Sequence, residues 1–181
     1  DGGALAIDAD LIISGGSYQA SGQGQQNDGI SVSGEIGGNV TIDGSVDAVT
    51  FSGNDDDGIE IETVTGDVTI TEINANSNSS DGLEIDTING TATVTGGTFN
   101  SNSADGIDFD TVIGITTLTN VIASGNSDNG IELTSLADLT ISGGTVDDNG
   151  GDGVYVDGAT IVSVTNFTAT NNFFDGVNLD A

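Results

Sequence analysis

Residues 57–80 read DGIEIETVTGDVTITEINANSNSS, and three short alternations fill the stretch. Ile59 and Ile61 alternate with Glu60 and Glu62. Val68 and Ile70 alternate with Thr69 and Thr71. Ile73 and Ala75 alternate with Asn74 and Asn76. Apolar residues at every second position predict strands with one buried face. Val64 falls at a corner between the first two strands. The stretch opens on an Asp-Gly step, and that step returns through the chain at Asp28-Gly29, Asp81-Gly82, Asp105-Gly106, Asn129-Gly130, Asp152-Gly153 and Asp175-Gly176. The spacings are 29, 24, 24, 24, 23 and 23 residues. A fixed interval in this range marks a solenoid, in which equivalent residues stand in straight columns.

Laying the repeats over one another gives those columns. The first strand contributes Ile30, Ile59, Leu83, Ile107, Ile131, Val154 and Val177, then Val32, Ile61, Ile85, Phe109, Leu133, Val156 and Leu179. The second contributes Ile42, Ile70, Val94, Leu118, Ile141 and Val164. The third contributes Phe51, Ala75, Phe99, Ala123, Val146 and Ala169, where large and small residues alternate as a narrow core requires. A polar column reads Asn54, Asn78, Asn102, Asn126, Asn149 and Asn172, each three residues before the step. Asn tolerates the left-handed backbone of a sharp corner, and its amide can donate to one coil while accepting from another.

The pattern Asn-x-x-Asp-Gly-Ile, with three strands in each repeat, resembles the parallel β-helix repeat of the pectate-lyase-like family. The resemblance covers residues 27–181 and extends more weakly over 1–26. It implies an all-β fold: a right-handed parallel β-helix of about seven coils of 23–29 residues, with three sheets and an asparagine ladder at one turn. The expected organisation is a single domain over 1–181, with an irregular first coil at 1–27 and regular coils at 28–181. The coil starting at Asp28 is five residues too long. One extra residue falls before Val40 and four in the Asp43–Ala48 corner, which predicts a protruding loop. No Gly-Gly-x-Gly-x-Asp nonapeptide of a calcium β-roll occurs, and no EF-hand loop.

Composition narrows the function. The chain of 181 residues has no Lys, Arg, His, Pro, Cys, Met or Trp, against 29 Asp and Glu, for a formal charge of −29. Nothing can neutralise phosphate, so nucleic acid and anionic membranes are excluded as direct partners. Disulfides and Lys-Asn isopeptide crosslinks are excluded as well. With no apolar stretch of membrane-spanning length, no signal peptide and no initiator Met, the chain reads as a processed segment of a longer precursor.

The family contains polysaccharide lyases, glycosidases and epimerases, so the resemblance raises an enzymatic reading. The basic residue of a lyase, commonly Arg or Lys, is missing. So are the His and the Arg-x-Lys segment of the polygalacturonase type. Carboxylate-only glycan chemistry, or carbohydrate binding, is what remains of that reading. Acid pairs recur in every coil, so no single pair stands out, and the expectation is a protein that is not an enzyme.

Two outward faces carry more information. The first strands present Glu60 and Glu62, Glu84 and Asp86, Asp108 and Asp110. In-register stacking sets like charges about 4.8 Å apart. At that spacing they repel by about 0.9 kcal/mol even at the dielectric of water. With no cationic side chain available, the expected counter-ion is Ca²⁺, which carboxylate oxygens suit. The second strands present Thr69 and Thr71, Thr93 and Thr95, Thr117 and Thr119, Thr140 and Ser142, Ser163 and Thr165. This array is similar to the ice-binding face of solenoid antifreeze proteins, although outward Thr is also favoured in any sheet.

The ends suggest assembly. Polar corner residues such as Asp55-Asp56 and Ser79-Ser80 give way to Phe173-Phe174 in the last coil, while Leu5, Ile7, Leu11, Ile12 and Ile13 make the first coil apolar. Uncapped coils expose strand edges, and head-to-tail stacking satisfies them. The sequence therefore predicts an extracellular or cell-surface structural β-helix, either a filament or matrix subunit or an adhesin-stalk segment. Its partner is a second copy, or neighbouring repeats of a longer chain.

Overall fold

The structure, a computed structural model, describes residues 7–20 and 27–180. Every strand pairing within it is parallel, and partners lie one repeat apart. In the turn from Asp57 to Ser80 the strands are Ile59–Val64, Val68–Thr71 and Ile73–Asn74. They form three faces wound about one core, a parallel β-solenoid. About six turns are complete between residues 28 and 174, with part of a turn on either side. The first and second faces join into one 13-stranded sheet, because Ile107–Thr119 runs unbroken through their shared corner. No helix among the described residues is long and apolar enough to cross a membrane.

The registers reproduce the columns. Ile59 pairs with Ile30 and Leu83, Ile61 with Val32 and Ile85, and Ile70 with Ile42 and Val94. Ile59, Ile61, Ile85, Phe109 and Leu133 are fully buried, as are Phe51, Ala75, Phe99, Ala123 and Val146 on the third face. Parallel stacking forces this order, since a one-residue slip would turn every apolar side chain outward. The third column also begins one turn earlier than expected. Tyr18 stacks on Phe51 with ring centroids 5.0 Å apart, so the first coil joins the core there. In the same coil Ile12 pairs with Thr41 on the outward side and is exposed, while Ile13 is buried.

Both departures from the period are visible. A register shift between Val32 and Glu35 absorbs one residue. Asp43 pairs with Thr71 and Val49 with Ile73, so four extra residues bulge out between them, with Val46 88% exposed.

The asparagine column is a hydrogen-bonded ladder. From Asn54 to Asn149 each Nδ2 donates to the Oδ1 of the next turn, at 2.9 Å from Asn54 to Asn78 and 3.1 Å from Asn102 to Asn126. The same Oδ1 atoms accept the previous turn's backbone N–H, and Nδ2 of Asn102 also reaches the Ala75 carbonyl at 3.2 Å. Ala20 continues the series by donating its N–H to Asn54 Oδ1 at 2.7 Å. The backbone differs from expectation in one respect. The left-handed residue of the corner is the one before each asparagine, namely Gly53, Ser77, Ser101, Gly125, Asp148 and Asn171. The asparagines themselves are not left-handed, so their amides alone account for the column.

A candidate acidic site on the first face

The step residue forms a second ladder. Asp57 Oδ1 accepts the Asp81 N–H at 2.6 Å, Asp81 Oδ1 that of Asp105 at 2.5 Å, and Asp105 Oδ1 that of Asn129 at 2.6 Å. The series begins with Asp28 and continues through Asn129 and Asp152 to the N–H of Asp175. Each oxygen satisfies a backbone donor that enters the next turn at a sharp corner. Glycine follows because the chain passes so close to its neighbours. A Cβ on Gly58 would lie 2.5 Å from the Gly82 carbonyl and 2.7 Å from that of Phe51. This close packing buries the carboxyls of Asp57, Asp81 and Asp105.

The ladder runs beside the first outward column of the sheet. Ser31, Glu60, Glu84, Asp108, Glu132, Tyr155 and Asn178 pair in register there. Three of the six residues expected to bind metal, Glu60, Glu84 and Asp108, therefore share a half-buried column against the buried aspartates. Glu62, Asp86 and Asp110 follow two positions on, with Glu62 and Asp110 exposed. Asp57, Asp81 and Glu84 each offer an oxygen within 4.8 Å of the others, and so do Asp28, Asp56 and Asp57. Either cluster can hold a metal ion.

Burial drives the electrostatics. It pushes the Asp57 carboxyl up to about 7 and that of Glu84 to about 8, with the charges of Asp57, Asp81, Asp86 and Asp108 adding to the latter. Burial and then neighbouring acids raise Asp105 and Asp108 to about 8. Asp81, Glu60, Asp86 and Glu132 rise for the same first reason.

Two turns carry an amide in this region, and there the acid gains a donor. Asn129 Nδ2 donates to Glu132 Oε2 at 2.7 Å, and Asn178 Nδ2 to Asp152 Oδ2 at 2.9 Å. Ser31 serves Glu60 in the same way at 2.6 Å. Asp108 has no such neighbour, and its enclosed Oδ1 makes no hydrogen bond.

In sequence Asp28, Asp57, Asp81 and Asp105 stand out only as step residues and not as candidate ligands, while Asp56 counts, with Asp55, Asp147 and Asp148, as a further acidic group near the corner. The signal was present in the step itself. Close packing accounts for the repeated glycine, and the column of aspartates before it marks a side chain that each turn uses.

The other expected residues lie elsewhere. Thr69, Thr93, Thr117 and Thr140 form one in-register column of the second face, bounded by Thr41 and Ser163. Thr71, Thr95 and Thr119 form the next, bounded by Asp43 and Ser142. Phe173 and Phe174 are exposed in the last turn and pack edge to face at 4.9 Å. Ile7 sits at the opposite end, bridged to Ile36, and Leu5 lies outside the described residues.

Stacked three-sided turns with columnar polar ladders define a β-helix repeat protein. The chain belongs to the family described as right handed beta helix region, whose model matches residues 28–181. No curated protein and no solved structure matches it.

Proposed function

We propose that this chain is a non-catalytic structural rod of the cell exterior. Further coils extend it end to end, either copies of itself or neighbouring repeats, and Ca²⁺ held on the first face stiffens it. The observation that carries the reading is the buried carboxyl stack, in which the same acid chemistry recurs turn after turn in a chain without any cationic side chain. A catalytic centre needs one distinctive set of groups, whereas this face repeats. The exposed Phe173 and Phe174 support end-to-end contact, since the same positions one turn inward are Gly150 and Gly151 and in earlier turns are small or polar.

The test compares thermal unfolding in CaCl₂ and NaCl at equal ionic strength, with electron microscopy of the same samples. A cation that binds only the folded rod stabilises it by mass action. The expected result is a higher melting temperature in Ca²⁺ that EDTA reverses and Glu84→Gln diminishes, with longer particles that Phe173→Asp combined with Phe174→Asp shortens. Identical melting in both salts would overturn the calcium reading. Uniform short particles under all conditions would overturn the assembly reading.

The in-register Thr columns support a second reading, ice binding, because they set hydroxyls on a regular two-dimensional grid. Thermal hysteresis that Thr117→Tyr abolishes is the expected result. Its absence at high protein concentration removes this reading.

A further inference from the structure

Three Asn-Gly pairs occur in the chain, at Asn89-Gly90, Asn129-Gly130 and Asn149-Gly150. Such pairs can lose ammonia, because an unhindered glycine nitrogen can reach the preceding side-chain carbonyl. The fold treats the three differently. Asn129 is buried, with its Oδ1 on the Asp152 N–H and its Nδ2 on Glu132. Asn149 is buried in the ladder, bonded to Asn126, Asn172 and the Ala123 carbonyl. Asn89 lies at the corner after the strand Leu83–Ile88, exposed, with no side-chain hydrogen bond to any described residue. The three glycine N–H groups are equally engaged: Gly90 with Gly66, Gly130 with Asp152, and Gly150 with Asn126. Side-chain freedom is therefore what separates the sites.

We propose that Asn89 is the modification site of this molecule, converted by water to a carboxylate while its two counterparts stay shielded by the fold. The Gly90 nitrogen gives up its proton to hydroxide and attacks Asn89 Cγ. The new N–C bond closes a five-membered imide, and the Cγ–Nδ2 bond breaks as water protonates the nitrogen, which releases ammonia and regenerates the hydroxide. Water then opens the ring at either carbonyl, leaving aspartate or isoaspartate at position 89. The step needs the side chain to bring its carbon to about 3–3.5 Å from the nitrogen, which a free side chain can do and a clamped one cannot. The product adds a charge to a chain already at −29. In the isoaspartate form it also lengthens the main chain where Gly66, Gly90 and Gly114 stack through their N–H and carbonyl groups. Conversion therefore loosens the corner between the first and second faces.

The experiment incubates the folded protein, and the urea-unfolded chain beside it, at mildly alkaline pH. Cleavage at acidic residues followed by mass spectrometry locates each amide-to-acid conversion. In the folded protein Asn89 converts first, with Asn129 and Asn149 slower by about tenfold or more, because each must first break buried hydrogen bonds. In urea the three rates converge, and Asn89→Gln loses the early conversion. Asn129 or Asn149 converting as fast as Asn89 in the folded state would refute the assignment. So would an Asn89 still intact when the unfolded chain has fully reacted.

Discussion

Two polar columns stand three residues apart in every turn, Asn54 beside Asp57, Asn78 beside Asp81, Asn102 beside Asp105. Both are buried and both stack at the strand spacing. An amide carries a donor and an acceptor, so each asparagine finds what the next one offers and the ladder closes on itself. An ionised carboxyl is acceptor-only. Each aspartate can use the next turn's N–H, but two carboxyls facing each other have nothing to exchange. Repetition thus favours the first column and penalises the second. The protein has placed Asn129 and Asn178, which break the run of acids, next to acids that then gain a donor.

The largest consequence is a dependence on pH that sums over the acid column. Burial raises the folded-state values of Asp57 to about 7 and of Glu84, Asp105 and Asp108 to about 8, from ordinary values of 3.8 for Asp and 4.5 for Glu. Between those limits the folded chain binds more protons than the unfolded one. Stability is then fully present below about pH 4 and is lost progressively as pH rises to about 8. Asp67, exposed and holding Thr91, is shifted downward and opposes the trend only at the acid end. Urea unfolding in chelator at pH 5 and pH 8 should show the higher midpoint at pH 5. Asp105→Asn, which copies the residue one turn on, should narrow the gap by raising the midpoint at pH 8. Equal midpoints for the parent at both pH values would show that the column is solvated in practice.

Next in size is the asparagine ladder. Asn102→Ala removes the donor to Asn126 and Ala75 and the acceptor of Asn78, stranding polar groups in the interior. The expected loss is about 3 kcal/mol, with no change in its size between pH 5 and pH 8. A loss that grows with pH would mean that the two columns are coupled and the contrast between them is false.

The sequence made one of these columns legible and half of the other. Asn54 and its successors show as a column because an asparagine at the same place in every turn can bond to its counterparts through its amide. The apolar columns show because period two and period 24 coincide only in stacked strands. The aspartates stayed hidden because Asp-Gly is also ordinary turn chemistry, and nothing in one turn reveals that Asp57 Oδ1 reaches the N–H of Asp81. Burial was equally out of reach. Glu60, Glu84 and Asp108 read as outward charges that call for a counter-ion, and only the neighbouring turns show them half enclosed against Asp57, Asp81 and Asp105. The left-handed residues at Ser77 and Ser101 were unreadable for a related reason, since serine gives no conformational signal and the asparagine after it attracts the assignment.

The smallest effect isolates burial from partnership. Thr116 occupies the inward position that Ala92 and Leu139 hold in the adjacent turns, is fully buried, and its Oγ1 has no hydrogen-bond partner. It has neither the ladder of Asn102 nor the single backbone donor of Asp105. Valine has nearly the same shape, and Val68 already holds this column two turns away. Thr116→Val replaces an unpaired hydroxyl by a methyl group without opening a cavity, so it should stabilise by about 1 kcal/mol, equally at pH 5 and pH 8. The sign is what matters, because Asn102→Ala, at another buried polar site of the same core, should move stability the opposite way. If Thr116→Val destabilises the protein, the hydroxyl has a partner, and the ordering of these three sites by the donors and acceptors they find is wrong.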